Sequence, residues 1–154
     1  MQRGFTLIEI LVVVVIVGVL ATMALPLADL AQQRAKEEEL RSALRQIRTA
    51  LDTYKQASDE GRIVKAADAT GYPANLRVLV EGVEDAKSAD RRRIYLLRRL
   101  PRDPFADPTL AAEQTWGLRS YASPPDRPMP GADVFDVYSK QPGAGLNGVP
   151  YSQW

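Results

Sequence analysis

The sequence predicts an α+β chain, in which one long N-terminal α-helix packs on a small antiparallel sheet of about three strands with C-terminal loops. Three observations predict this class. Residues 10–25 are almost entirely apolar, residues 40–54 carry apolar side chains at spacings of three and four, and residues 116–139 contain two β-rich stretches separated by prolines. The first two patterns are typical of helices and the third of paired strands.

Length and composition limit what the chain can do. It has 154 residues, of which 45% are hydrophobic, and it contains no cysteine and no histidine. Disulfides, thiolate nucleophiles, zinc-thiolate sites and histidine-based triads are therefore excluded. The 20 basic and 19 acidic residues give a net charge of +1, which provides no argument for a nucleic-acid partner.

The N-terminal apolar stretch is long enough to cross a bilayer. Residues 10–28 are 19 residues without a charge, and as a helix they would extend about 28 Å, close to a hydrocarbon core of about 30 Å. Eleven of residues 10–25 are Leu, Ile or Val, and they favour insertion by about 3 to 7 kcal/mol. Glu9 costs at most about 2.5 to 3.5 kcal/mol. We therefore expect residues 5–28 to form a transmembrane helix segment.

Three interpretations of this stretch compete. A cleaved secretory signal also has a basic start and an apolar core, and Thr22, Met23 and Ala24 make a passable small-residue cleavage site. A plain single-pass anchor would leave Glu9 near the lipid headgroups without a role. The third interpretation also explains the residues that precede the apolar stretch.

That interpretation is based on a hexapeptide, GFTLIE at residues 4–9, which follows a short leader carrying Arg3. The hexapeptide resembles the class III signal of type IV pilins and type II secretion pseudopilins. The resemblance implies a type IV pilin-like fold, cleavage between Gly4 and Phe5 by a prepilin peptidase, and N-methylation of Phe5. Residues 1–4 would be the leader peptide that is removed.

Glu9 then has a physical reason to be present. Cleavage would leave the amino group of Phe5 as a cation at the edge of an apolar helix, with Glu9 four residues further on. In this family the acid is thought to pair with the amine of a neighbouring subunit, which sets the axial register of assembly. An unpaired charge in a low dielectric is costly. We therefore assign Glu9 and Phe5 to filament assembly and expect no catalytic residue.

Two residues are expected to weaken the apolar helix. Pro26 removes a backbone donor, which favours a kink, and Gly18 lies eight positions before it. In the pilin family, the stretch between such residues can lose helicity when the filament packs. The alternative is that Pro26 only bends the helix at the membrane surface.

Residues 29–56 are predicted to continue the helix as an amphipathic segment. One face carries apolar side chains: Leu40, Ala43, Leu44, Ile47, Leu51 and Tyr54. The opposite face is expected to be solvated and carries the charged residues Glu37, Glu38, Arg41, Arg45 and Arg48. Among these, Glu37 and Arg41 are expected to pair at a spacing of four.

Residues 57–154 form the predicted head. Residues 59–71 have the composition of a loop, and a short helical stripe follows in residues 75–83. The Gly-Tyr-Pro sequence at residues 71–73 and the segment LLRRLPRDPF at residues 96–105 resemble parts of the major pseudopilin head.

The last third of the head is predicted to contain strands. Residues 116–122 and 133–139 have β-rich composition and are expected to pair antiparallel, because a proline-rich loop joins them. Residues 142–150, PGAGLNGVP, are expected to form a glycine-rich turn.

The resemblance also raises the question of a metal. The major pseudopilin of type II secretion typically holds calcium near its C-terminus, and calcium needs several oxygen ligands. No acidic residue follows Asp136 here, so a site would require Asp133 or Asp136 with Ser139, Asn147 and carbonyl groups. We instead expect hydrogen bonds and packing of Leu146, Tyr151 or Trp154 to fix the loop, and no cofactor.

A basic cluster in the head raises the possibility of DNA binding. It consists of Arg91, Arg92, Arg93, Arg98, Arg99 and Arg102. Acidic residues flank it and the total charge is balanced, so we favour a solvated or subunit-contact role over a phosphate-binding one.

The resemblance implies a structural, non-enzymatic pseudopilin with its head in the periplasm, held in the inner membrane and assembled into a filament that drives protein export by a type II secretion system. The partners would be further copies, other pseudopilins, the prepilin peptidase, an inner-membrane platform, an assembly ATPase and membrane lipid. The alternatives are a type IV pilin, a competence pseudopilin for DNA uptake, or a membrane-anchored periplasmic binding module in which Glu9 has no assembly role.

Overall fold

The structure of the chain is a computed structural model that describes residues 6–154, apart from the side chains of residues 22–26. The chain divides into two compact units. One ends at Lys36, and the other runs from Glu37 to Trp154. The α+β class is confirmed, with a long N-terminal helix and short antiparallel strands.

Helix α1 spans Leu7–Asp59, which is 53 residues. It ends three residues beyond the predicted position because the chain closes with a glycine-dependent cap. Gly61 adopts a φ of +71°, and the Arg62 amide donates to the carbonyl oxygen of Ala57 at 2.9 Å. This backward bond satisfies a carbonyl that the last turn leaves open, and glycine adopts the required left-handed conformation without strain.

The predicted apolar stripe of α1 forms the core of the second unit. Its members Leu40, Leu44, Ile47 and Leu51 are at most 2% exposed. They pack in one cluster with residues from the rest of the head: Leu76, Leu79, Trp116, Val134, Val137 and Tyr151. Burial of apolar surface at about 25 cal/mol per Å² makes this cluster the main stabilising contribution to the unit.

Short elements follow the helix. Helix α2 spans Val78–Glu81, within the predicted stripe. Two 3-10 helices span Ala112–Thr115 and Tyr151–Gln153. The segment at residues 96–105 is attached to the core, because the indole of Trp116 donates to the carbonyl oxygen of Pro101 at 2.9 Å.

The described residues contain four strands in two separate antiparallel pairs, where a single sheet of about three strands was predicted. Strand β1 (Val83–Glu84) pairs with β2 (Arg93–Ile94), and β3 (Trp116–Arg119) pairs with β4 (Asp136–Ser139). The β3–β4 pair confirms the predicted antiparallel return. The first pair is only two residues long, which is too short to give a recognisable alternation in the sequence.

The predicted solvated face of α1 needs a correction. Glu37 is 4% exposed, and its carboxylate accepts hydrogen bonds from the C-terminal part of the chain. The neighbouring Glu38 forms surface ion pairs, at 3.9 Å to Arg41 and 3.8 Å to Arg45. Arg48 also turns inward and contacts β4. The C-terminal residues cover this flank of the helix, so polar groups on it find partners there.

Within the described part of the chain, no helix has the length and apolar character needed to cross a membrane.

Candidate assembly site at the start of the helix

The start of α1 is organised by Thr6 and Glu9. Thr6 precedes the helix, and its hydroxyl Oγ1 accepts a hydrogen bond from the Glu9 amide at 3.3 Å. In return, the Thr6 amide donates to Oε2 of Glu9 at 3.4 Å. These reciprocal bonds form a capping box, which satisfies two backbone donors that the first turn leaves open.

The Glu9 carboxylate is nevertheless accessible. The residue is exposed, and the bond that its side chain accepts is long, whereas a typical N–H···O bond measures about 2.9 to 3.0 Å. A long bond at an exposed site contributes little and exchanges readily for a charged donor, since charge-assisted bonds are about twice as strong as neutral ones. Glu9 can therefore cap its own helix or accept a bond from an outside cation.

An apolar surface surrounds this acid. Leu7 is 83% exposed and Ile8 70% exposed. The exposed apolar side chains continue along the helix at Ile10, Leu11, Val12, Val13, Val14, Val15, Ile16, Val17, Val19, Leu20 and Leu27. A continuous apolar surface of this kind is typical of a segment that lies in lipid or against other protein.

The other residues of the predicted N-terminal site are only partly described. Gly4 and Phe5, the predicted cleavage and methylation positions, lie outside the described residues. Helix α1 continues through Gly18 and Pro26, and a methyl group added at Gly18 would have open space around it. Loss of helicity between Gly18 and Pro26 on assembly stays a prediction.

The four candidate calcium ligands are engaged by other protein groups. Asp133 accepts hydrogen bonds from the Tyr121 amide at 2.8 Å and from the Thr70 hydroxyl. Oδ1 of Asp136 accepts a bond from Arg48 at 2.8 Å, and its Oδ2 lies 3.9 Å from Nε of Arg119. Two guanidinium groups therefore already neutralise the Asp136 carboxylate.

The remaining two candidates serve local structure. The hydroxyl of Ser139 donates to the buried carboxylate of Asp103, and Oδ1 of Asn147 accepts from the Val149 amide at 3.1 Å. The described residues contain no group of three or more acidic, histidine or cysteine side chains arranged to hold a metal ion. This donor set does not fit a calcium site.

The C-terminal loop is instead fixed as expected, by hydrogen bonds and packing of its own residues. The indole Nε1 of Trp154 donates to the carbonyl oxygen of Val149 at 3.0 Å. The ring of Tyr151 packs between Phe105 and Trp154, at centroid distances of 4.7 and 5.1 Å. Leu146 contributes its backbone amide, which donates to Glu37.

Three of the six arginines in the cluster make contacts within the head. Arg92 lies 3.4 Å from Asp90, and Arg93 donates to the carbonyl oxygen of Glu81 at 3.2 Å. Arg102 donates to the carbonyl oxygens of Asp107 and Leu110. These contacts lie within the head, and the solvated or subunit-contact role predicted for the cluster stays a prediction.

Sequence reasoning missed the capping role of Thr6 and the burial of Glu37, although each had a signal. Thr6 and Glu9 have the Ser/Thr-x-x-Glu spacing of a capping box. Glu37 lies three positions before Leu40 and seven before Leu44, so it belongs to the apolar stripe. An acid in such a stripe predicts a buried carboxylate with polar partners.

Comparison with known proteins finds one family motif and several similar proteins. The prokaryotic N-terminal methylation motif matches residues 1–25. The type II secretion system core protein G of Klebsiella pneumoniae is 35% identical over 108 residues, covering 68% of this chain and 69% of that protein. The protein of the same name from Aeromonas hydrophila is 32% identical over 111 residues, covering 70% of each. The one from Vibrio cholerae is 29% identical over 158 residues, covering 99% of this chain and 92% of that protein. No solved structure matches.

The resemblance found at residues 4–9 is thus confirmed by relatives that share most of the chain, including the head. The long helix with short antiparallel strands agrees with it. The chain belongs to the family of the type II secretion system core protein G, the major pseudopilin.

Proposed function

We propose that this protein is a structural subunit that is stored in the inner membrane and assembled into a short periplasmic filament of a type II secretion system. The observation that carries the proposal is that an exposed acid, Glu9, lies at the start of an exposed apolar stretch of helix α1. The membership of the core protein G family supports it.

Processing would create the partner of this acid. Cleavage between Gly4 and Phe5 by a prepilin peptidase exposes the amino group of Phe5, which is then methylated and remains a cation. The match of the methylation motif to residues 1–25 supports both steps. The side chains of residues 10–27 would lie in lipid before assembly and against neighbouring subunits afterwards.

Electrostatics would then select one register of assembly. Two unit charges about 4 Å apart attract by roughly 4 kcal/mol at an effective dielectric of 20. A subunit shifted along the filament would leave both the Glu9 carboxylate and the Phe5 amine unpaired among apolar side chains, which is costly. An assembly ATPase and an inner-membrane platform would supply the work of moving subunits out of the membrane.

The role is structural rather than enzymatic. The chain has no histidine or cysteine for general-base or thiolate chemistry. The acids of the head described above, Asp103, Asp133 and Asp136, accept hydrogen bonds from other groups of the head and are held in structural contacts.

The test uses full-length protein in cells that contain the secretion system, with Glu9→Gln compared with wild type. The control is Asp29→Asn, an exposed acid just beyond the apolar stretch. Each variant is measured for membrane insertion, leader removal, filament yield and export. We expect Glu9→Gln to be inserted and processed, while its filament yield falls at least about tenfold, which corresponds to losing only about 1.4 kcal/mol per contact.

The control should assemble like wild type. Normal filaments and export with Glu9→Gln would contradict the proposal and favour a membrane-anchored binding module, in which this acid has no assembly role.

A further inference from the structure

We infer that the side chains of Glu37 and Arg48 fasten the C-terminal loop, residues 140–154, to helix α1 and take the structural place of a metal ion, so that the head is stable without calcium. We call Glu37 and Arg48 the two anchors. The inference concerns the second unit alone and holds whether or not Glu9 directs filament assembly.

The first anchor, Glu37, connects helix α1 to two residues of the loop. Oε1 of Glu37 accepts hydrogen bonds from the Leu146 amide at 2.8 Å and from the Tyr151 hydroxyl at 3.0 Å. Glu37 is 4% exposed and Tyr151 3% exposed, so water does not replace these bonds. Bonds to a buried carboxylate are charge-assisted, and their loss leaves polar groups unsatisfied.

The second anchor joins the end of the loop to strand β4. Nη2 of Arg48 donates to the backbone oxygen of Trp154 at 2.6 Å and to that of Val137 at 3.1 Å. Its Nε donates to Oδ1 of Asp136 at 2.8 Å. One guanidinium therefore collects a carboxylate and two backbone oxygens, which are the donor types that calcium coordinates.

The two anchors act from one side of the helix. They are 11 positions apart, which is about three turns, so both side chains leave α1 in nearly the same direction, roughly 16 Å apart along its axis. Between them, Arg41 lies over the ring of Trp154, with its Cζ 4.4 Å from the ring centroid. Helix α1 thus contacts the loop at Leu146, Tyr151 and Trp154.

The loop is also closed internally. The Gly145 amide donates to the carbonyl oxygen of Val149, and the Gly148 amide to that of Gly145, both at 2.9 Å. Gly148 has a φ of +77°, which suits glycine. The carbonyl oxygen of Val149 accepts from the Trp154 indole as well, so this oxygen already accepts two hydrogen bonds.

The charge balance at Asp136 argues against a calcium ion beside it. Asp136 is the last acidic residue in the sequence, and Arg48 and Arg119 already bring two positive charges to it. A divalent cation there would have to displace a guanidinium and then face it. Calcium takes six to eight oxygen ligands, usually with several carboxylates, and this loop provides no carboxylate side chain.

The experiment uses the full-length protein in detergent. Thermal unfolding is followed by near-ultraviolet circular dichroism, and amide hydrogen exchange is measured in peptides covering residues 141–154, each in excess EGTA and in millimolar CaCl2. We expect the wild-type Tm and exchange rates to be the same in both solutions.

The anchors are tested by Glu37→Met and Arg48→Met, which keep the aliphatic bulk and remove the polar head. We expect Tm to fall by about 5 to 10 °C and exchange in residues 141–154 to rise. Glu37→Gln keeps an acceptor oxygen and should give a smaller change in the same direction, which is measurable even if the Met variants fold poorly. The matched control is Glu38→Gln, which removes only exposed ion pairs and should stay within about 2 °C.

Two results would overturn the inference. One is a wild-type Tm that rises saturably with calcium or falls in EGTA, because this would reveal a bound ion that the anchors do not replace. The other is loop exchange in the Glu37 and Arg48 variants that equals exchange in Glu38→Gln.

Discussion

Arg48 and Asp136 are 88 positions apart in the sequence, yet Nε of Arg48 donates to Oδ1 of Asp136 at 2.8 Å. The same carboxylate oxygen accepts a bond from the amide of Val137, also at 2.8 Å. One oxygen of this carboxylate thus accepts hydrogen bonds both from a side chain of helix α1 and from a backbone amide of strand β4. This contact joins strand β4 to helix α1.

Replacing this carboxylate should weaken the head. We expect Asp136→Asn to lower the free energy of unfolding by about 1 to 2 kcal/mol, because an amide oxygen accepts the two bonds less strongly and both side chains are partly exposed to solvent. Thermal or denaturant unfolding of the full-length protein in detergent measures the change. Asp126→Asn, at an exposed acid in the proline-rich loop, is the control; an equal effect of both variants would show that the contact with Arg48 contributes nothing specific.

Gly117 leaves room for the ring of Tyr138. The two residues face each other in the β3–β4 pair, and a methyl group added at Gly117 would overlap the ring, closest to its Cζ. Gly117→Ala should therefore lower the free energy of unfolding by about 1 to 3 kcal/mol through overpacking. When Tyr138 is first replaced by Leu, adding Gly117→Ala should lower the free energy of unfolding by less than it does in the wild type, because the ring that the methyl group overlaps is absent. A Tm for Gly117→Ala equal to that of wild type would contradict the close packing.

The ion pair of Arg62 and Asp85 should make stability depend on acid pH. Nη2 of Arg62 donates to Oδ2 of Asp85 at 2.6 Å, and this hydrogen bond, with the positive charge of the donor, holds the pKa of Asp85 below its usual range. A carboxyl whose pKa is lower in the folded state contributes stability that is complete above its unfolded pKa of about 3.9. That contribution is lost as the pH falls further, through the folded pKa.

The measurement is Tm as a function of pH for the wild type and Asp85→Asn. We expect the wild-type Tm to decrease more steeply below about pH 4, because only the wild type has this carboxylate to protonate. Asp126→Asn should follow the wild-type curve. Parallel curves for the wild type and Asp85→Asn would show that the pair adds no stability.

The sequence predicts the helix and its buried face well, because both depend on local periodicity. Leu40, Leu44 and Ile47 lie in the core as expected, since spacings of three and four place them on one face whatever covers it. The strands β3 and β4 are also predicted, from their β-rich composition and the prolines between them. The pairing of β1 with β2 is not, because it involves two residues on each side.

The contacts that hold the C-terminal loop could not be predicted, because they join residues far apart in the sequence. The stripe position of Glu37 indicates burial, but its partners Leu146 and Tyr151 lie more than a hundred residues away, and no local pattern identifies them. Glu9 is different. Its assignment to filament assembly rests on the resemblance of residues 4–9 to the class III signal, and the cost of a lone acid beside an apolar helix agrees with it. The assignment stays a prediction.

The N-terminus of the mature protein tests the central claim most directly, because Glu9 directs assembly only if the amine of Phe5 exists. Intact mass measurement of the protein purified from membranes should find a chain that begins at Phe5 and carries one added methyl group. A chain that retains Met1, or one that begins beyond Ala24, would lack this amine and would contradict assembly through Glu9.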